Sequence, residues 1–126
     1  MRRILMLSIV LTLLFLPTAS QADHRPTTVC SSTGDICQSA ARVNGIRKLR
    51  ITLAAEFFSR YRLCITGPEG TVCERFRMRA ADGGTFASSV RWLRHFPNQG
   101  PGAYTVTWRS LPGAARVGSV LGFHVT

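Results

Sequence analysis

The stretch from Arg60 to Arg79 constrains the fold more than any other part of the chain. Tyr61, Leu63 and Ile65 alternate with polar residues before Gly67-Pro68-Glu69-Gly70, and Val72, Phe76 and Met78 do so after it. A period of two places successive side chains on opposite faces of a strand, and a Gly-Pro-x-Gly break is turn chemistry. Two antiparallel strands follow. With those four residues as the connection, Thr66 faces Thr71, Ile65 faces Val72 and Cys64 faces Cys73. Directly opposed residues at a non-hydrogen-bonded site have Cα atoms ~4.5 Å apart, a separation that a disulfide spans. Of the three pairings open to four cysteines, this register selects Cys64 with Cys73, which leaves Cys30 with Cys37 around the turn residues Ser32-Thr33-Gly34-Asp35.

Disulfides require an oxidising compartment, and the amino terminus supplies a route to one. Met1-Arg2-Arg3 is a positive start, Ile4 to Leu16 is an apolar run interrupted only by Ser8 and Thr12, and Ser20-Gln21-Ala22 follows Pro17. This is the pattern of a cleaved signal peptide over residues 1–22. The apolar run is shorter than the ~20 residues of a membrane-spanning helix, and no later stretch matches it. Residues 23–126 are then the exported domain, and the expected location is secreted or extracellular, without a transmembrane segment. A zinc site of four thiolates would need close Cys pairs, whereas the spacings here are seven, twenty-seven and nine positions. No metal is expected there.

The rest of the exported part reads in the same short alternating runs. Thr27 to Cys30 forms a first run, Arg47 to Leu53 turns Leu49, Ile51 and Leu53 to one face, and Phe86 to Leu93 contains Val90 and Trp92. Tyr104 to Arg109 alternates Tyr104, Val106 and Trp108 with Thr105, Thr107 and Arg109, and a final run turns Leu121, Phe123 and Val125 inward. Six or seven strands with turn residues between them describe an antiparallel β-sandwich. Only Ala54-Ala55-Glu56-Phe57-Phe58 has a helical look, and a bent connection accounts for it equally well.

The segment Gly100-Pro101-Gly102-Ala103-Tyr104-Thr105-Val106-Thr107-Trp108-Arg109, with the terminal Leu121-Gly122-Phe123-His124-Val125, resembles the closing strand pair of bacterial immunoglobulin-like domains. Together with Tyr61-Arg62-Leu63-Cys64 and Gly70-Thr71-Val72-Cys73, it is similar to small secreted proteins of arginine-rich bacteria such as actinobacteria. The resemblance implies an immunoglobulin-like β-sandwich and carries no catalytic signature. In such a fold Tyr104 resembles the tyrosine corner, a structural role.

Charge is the functional lead. Sixteen basic residues against six acidic ones give a net charge of +10, and removing Arg2 and Arg3 with the leader leaves +8. In the hairpin register Arg60, Arg62, Arg75, Arg77 and Arg79 share the cysteine face, with Arg62 opposite Arg75 and Arg60 opposite Arg77. Like charges directly opposed in a sheet are unfavourable, and guanidinium groups bind phosphate or carboxylate bidentately. These five arginines are the candidate anion-binding residues, for an anionic polymer or envelope component. Lys48 and Arg50 extend the patch if their strand joins the same sheet. A GC-rich genome also scatters arginine over any surface, and net charge alone supports only non-specific attraction. Aromatic residues do not alternate outward with the arginines, so a base-stacking platform is not indicated.

Other chemistries find less. Glu74 interrupts the inward pattern opposite Leu63 and has no second acid beside it in the ladder. No Gly-x-Ser-x-Gly nucleophile motif and no glycine-rich phosphate loop is present, so neither an enzyme nor a nucleotide cofactor is expected. Copper binding through His24 lacks the accompanying His-x-His or methionine cluster. The Cys30–Cys37 loop, pre-organised by its bridge, is also of the kind with which small secreted proteins inhibit proteases. The sequence names no protein partner.

Overall fold

A computed structural model describes residues 25–126, so the signal-peptide reading of residues 1–22, together with Asp23 and His24, lies outside the described residues. Within them run β1 (Thr28–Cys30), β2 (Ile36–Ser39), β3 (Arg42–Val43), β4 (Ile46–Leu53), β5 (Arg60–Gly67), β6 (Gly70–Arg77), β7 (Arg79–Ala80), β8 (Phe86–Arg91), β9 (Gly102–Ser110) and β10 (Arg116–Val125). A single helical turn, α1 (Trp92–His95), follows β8. The first sheet has the order β1-β2-β4-β8-β7, with β3 paired to β4, and the second has the order β10-β9-β5-β6. Every pairing is antiparallel. Lettered by the immunoglobulin convention, β2-β4-β8-β7 is A-B-E-D and β10-β9-β5-β6 is G-F-C-C′. The chain is therefore an immunoglobulin-like antiparallel β-sandwich.

There are more strands than the alternating pattern predicts. β2 is only four residues long, and Arg42–Val43 pairs with Arg47–Ile46 across Asn44-Gly45. Both central residues of that turn have positive φ, 51° and 76°, the conformation of a two-residue hairpin turn and the reason Asn-Gly favours it. The expected strand from Val72 to Arg79 ends at Arg77, and Arg79 enters β7, which pairs with β8 in the other sheet. The stretch Ala54–Phe58 is a bent connection and not a helix.

The sheets close over Leu49, Ile51 and Leu53 from β4, and over Tyr61, Leu63 and Ile65 from β5, all essentially inaccessible. Tyr104 and Phe123 stack with ring centroids 5.0 Å apart, and Trp92 meets both edge-on. Each disulfide joins directly opposed residues within one sheet: Cys30 with Cys37 in the first, and Cys64 with Cys73 in the second.

Two polar devices hold the ends of the sandwich. The Tyr104 hydroxyl donates to the Gly100 carbonyl at 2.6 Å and accepts from the Gln99 N–H at 3.0 Å, which is a tyrosine corner. Gln99 in turn accepts from the Glu69 N–H at 2.7 Å and donates to the Gly70 carbonyl at 3.0 Å, tying the β5–β6 turn to the same loop. At the opposite edge β10 is bulged between Val117 and Leu121. The buried Gln38 of β2 donates to the Val117 and Ser119 carbonyls, so the unpaired groups of the bulge bind a side chain from the other sheet. No helix among the described residues is long and apolar enough to cross a membrane.

Candidate anion-binding face

The β5–β6 register is the one the turn predicts, with Arg62 opposite Arg75, Arg60 opposite Arg77 and Cys64 opposite Cys73. On its other side β5 pairs with β9, which sets Arg62 against Arg109, and β9 pairs with β10, which sets Arg109 against Arg116. Arg116, Arg109, Arg62 and Arg75 thus form one row across all four strands. Neighbouring strands lie ~4.8 Å apart, so the row spans roughly 14 Å. Arg60 and Arg77 form a shorter row beside it. Arg109 is steadied by donating from Nη1 to the Ala114 carbonyl at 3.1 Å.

Beyond the arginines the face changes character. The Cys64–Cys73 bridge and Thr107 occupy the next row, then Thr66, Thr71 and Thr105. Thr66 and Thr71 share a hydroxyl hydrogen bond of 2.8 Å. Cationic and neutral halves are therefore separated by the disulfide.

At the β6 edge the cationic half opens into a groove of about 710 Å³ between the two sheets. Arg60, Arg75 and Arg77 line it from the second sheet, and Arg79 lines it from β7 of the first. Arg79 therefore does not continue the hairpin ladder, but it lines the same opening as three of the other four candidate arginines. His95 joins them, its ring edge-on to Phe76 with centroids 5.1 Å apart. Every ionisable side chain lining the groove is basic. Ser88 lines it as well, and its hydroxyl shares a 2.6 Å hydrogen bond with the Tyr61 hydroxyl. Burial pushes the Tyr61 phenol up to about 12, against the opposing effect of the Ser88 hydrogen bond.

Lys48 and Arg50 do not extend the patch, because β4 belongs to the first sheet. There Lys48 opposes Arg91 on a separate surface. Glu74 keeps its expected position opposite Leu63, and the eight β5–β6 pairs run without a bulge. It is exposed on the edge strand β6. His95 and His124 line different depressions, while His24 is outside the described residues. The Cys30–Cys37 loop is exposed at its tip and closed by internal bonds, from Ser31 N–H to the Ile36 carbonyl and from Gly34 N–H to the Ser31 carbonyl.

Compared with family models, curated proteins and solved structures, the chain matches none. What the site can do therefore rests on its own geometry. That geometry includes two residues that the hairpin register does not reach, Arg109 and Arg116. The outward position of Arg109 is visible in its alternating run. Its place beside Arg62 depends on β9 pairing with β5, which no local pattern records.

Proposed function

We propose that the protein is an exported, non-catalytic binding module whose arginine face holds an anionic polymer or another anionic component of the cell envelope. The observation that carries this reading is the Arg116-Arg109-Arg62-Arg75 row. Directly opposed like charges each cost roughly 0.2–1 kcal/mol, and an anion laid along the row converts the repulsion into bidentate contacts. A linear ligand fits this arrangement better than a compact one, because the charges lie on a line across the strands. The groove with Arg79 and His95 continues that line around the sheet edge. Export is supported by the leader-like residues 1–22 and by the two disulfides. The kinship with small secreted bacterial immunoglobulin-like proteins belongs to the same reading, supported by the strand order and the tyrosine corner.

The test is retention of the oxidised protein on immobilised anionic polymers as a function of salt. One variant carries Arg62→Ser, Arg75→Ser and Arg109→Ser, and a charge-matched control carries Arg25→Ser, Lys48→Ser and Arg50→Ser. Selective loss in the first variant supports the site. Equal loss in both reduces the face to general charge.

A further inference from the structure

Among the described residues four large apolar side chains are markedly exposed, Val43, Ile46, Phe57 and Leu93, and three of them gather at one end of the sandwich. Val43 and Ile46 are the directly opposed pair that flanks the Asn44-Gly45 turn, so they project from the same face of that hairpin. Ile46 and Leu93 line one depression of about 570 Å³. Val43 is 47% exposed, Ile46 39% and Leu93 61%, so none is part of the core. Arg42, Arg47, Arg91, Arg94 and His124 line the same depression, and every ionisable side chain with its place in that lining is basic. Arg47 is held in position by donating to the Ala40 carbonyl at 2.7 Å and by lying over the Phe123 ring at 4.3 Å.

We infer that this end of the molecule is a docking surface for an anionic phospholipid bilayer, with Val43, Ile46 and Leu93 entering the interface and Arg42, Arg91 and Arg94 meeting lipid phosphates. Exposed apolar side chains beside several arginines are the composition of an interfacial anchor, in which apolar burial and attraction to anionic headgroups add. A second copy is disfavoured by the charge itself. A twofold contact opposes a patch to its own image, and here that sets arginine against arginine. The surface is distinct from the arginine row, since Arg116 and His124 stand near opposite ends of β10, roughly 25 Å apart along the strand, although α1 sets Arg94 of this surface beside His95 of the groove. It stands or falls independently of the polymer reading.

The experiment is co-sedimentation of the oxidised protein, recovered from an exporting host, with phosphatidylcholine vesicles that contain or lack phosphatidylglycerol. Wild type is expected to partition onto the phosphatidylglycerol vesicles only. Replacing Val43, Ile46 and Leu93 by Ser leaves the net charge unchanged, and it should lower partitioning at least about tenfold, or ~1.4 kcal/mol. These positions are exposed, and a thermal melt of the variant verifies its fold. As a second probe, Val43→Trp should show a blue-shifted emission on those vesicles. The inference is overturned if the triple Ser variant partitions like wild type, if the emission of the Val43→Trp variant does not move, or if the protein instead self-associates through this end in light scattering. It is equally overturned if the Arg62, Arg75 and Arg109 variant alone abolishes vesicle binding, and that outcome leaves the polymer reading intact.

Discussion

Gln38 and Ser119 exchange two hydrogen bonds between the sheets: the Ser119 N–H donates to Gln38 Oε1 at 2.9 Å, and Gln38 Nε2 donates to the Ser119 carbonyl at 3.2 Å. A third bond runs from Nε2 to the Val117 carbonyl at 3.1 Å. The amide is matched to its site because it is donor and acceptor at once. Gly118, inside the bulge, has φ of +63°, and a Cβ there would collide with the Gln38 amide.

Replacing Gln38 by Ala should therefore destabilise the domain by about 3 kcal/mol, since three backbone groups of the bulge lose their partner. Gln38→Glu is more diagnostic. Its carboxylate still accepts from Ser119 but faces the two carbonyls, so the fold raises its pKa above the unfolded value of about 4.3. Where the group is protonated in both states only the cost of one lost donor remains, since a carboxylic acid has one O–H for two carbonyls, and the charge penalty is added as pH rises from that unfolded value towards the raised folded one. Thermal melts should show the variant closer to wild type in acid than at neutrality, and a pH-independent difference would contradict this account.

At the other end, Gly67 has no room for a side chain: a Cβ would come within 2.6 Å of both Gln99 Oε1 and the Tyr104 ring. Gly67→Ala should cost ~1–3 kcal/mol as the corner is forced apart. Tyr104→Phe keeps the ring stack on Phe123 but removes both hydroxyl bonds, at a cost of about 2 kcal/mol. For a domain of this size each kcal/mol lowers the melting temperature by roughly 4–8 °C. Calorimetry on the two variants checks both magnitudes.

Tyr61 predicts an alkaline limit to stability. Its phenol is held neutral in the fold to about 12, whereas an unfolded tyrosine ionises near pH 10. The stabilisation from the neutral phenol is complete below about pH 10 and is lost as pH rises towards 12, because the unfolded chain releases its proton first. Phenolate absorbance should show a late-titrating tyrosine that is missing from Tyr61→Phe. If that variant and wild type lose stability in parallel over this range, Tyr61 is not the cause.

The arginine row makes a quantitative statement about salt. On a duplex-like polyphosphate each contact contributes about 0.9 to the slope of log K against log salt. Removing Arg62, Arg75 and Arg109 should then flatten the slope by roughly 2.7. The Arg25, Lys48 and Arg50 control should leave the slope near that of wild type.

Much of the architecture was legible locally. The alternation of Tyr61, Leu63 and Ile65 with the turn at Gly67 produced the observed register pair by pair, and with it the Cys64–Cys73 bridge. Tyr104 was legible as a corner because the resemblance places it at the start of its strand. The Asn44-Gly45 hairpin carries a turn signal of its own, but its first strand is only two residues long and shows no alternation. What could not be read were positions whose partners lie far along the chain. Gln38 is polar within a short strand, and nothing near it announces a bulge eighty residues later. Arg79 follows Arg77 in perfect alternation, yet β6 ends between them because β7 finds its partner in β8.

The strand class, the β5–β6 register and the disulfide pairing follow from turn length and a period of two, which are properties of contiguous residues. Tertiary structure decided which strands became neighbours, and so which arginines share a row. Setting β9 beside β5 brought Arg109 and Arg116 into line with Arg62 and Arg75, and drew Lys48 and Arg50 away to the other sheet. That choice follows from burying two apolar faces against each other. It is a requirement on the whole chain, and it leaves no mark on the spacing of any one segment.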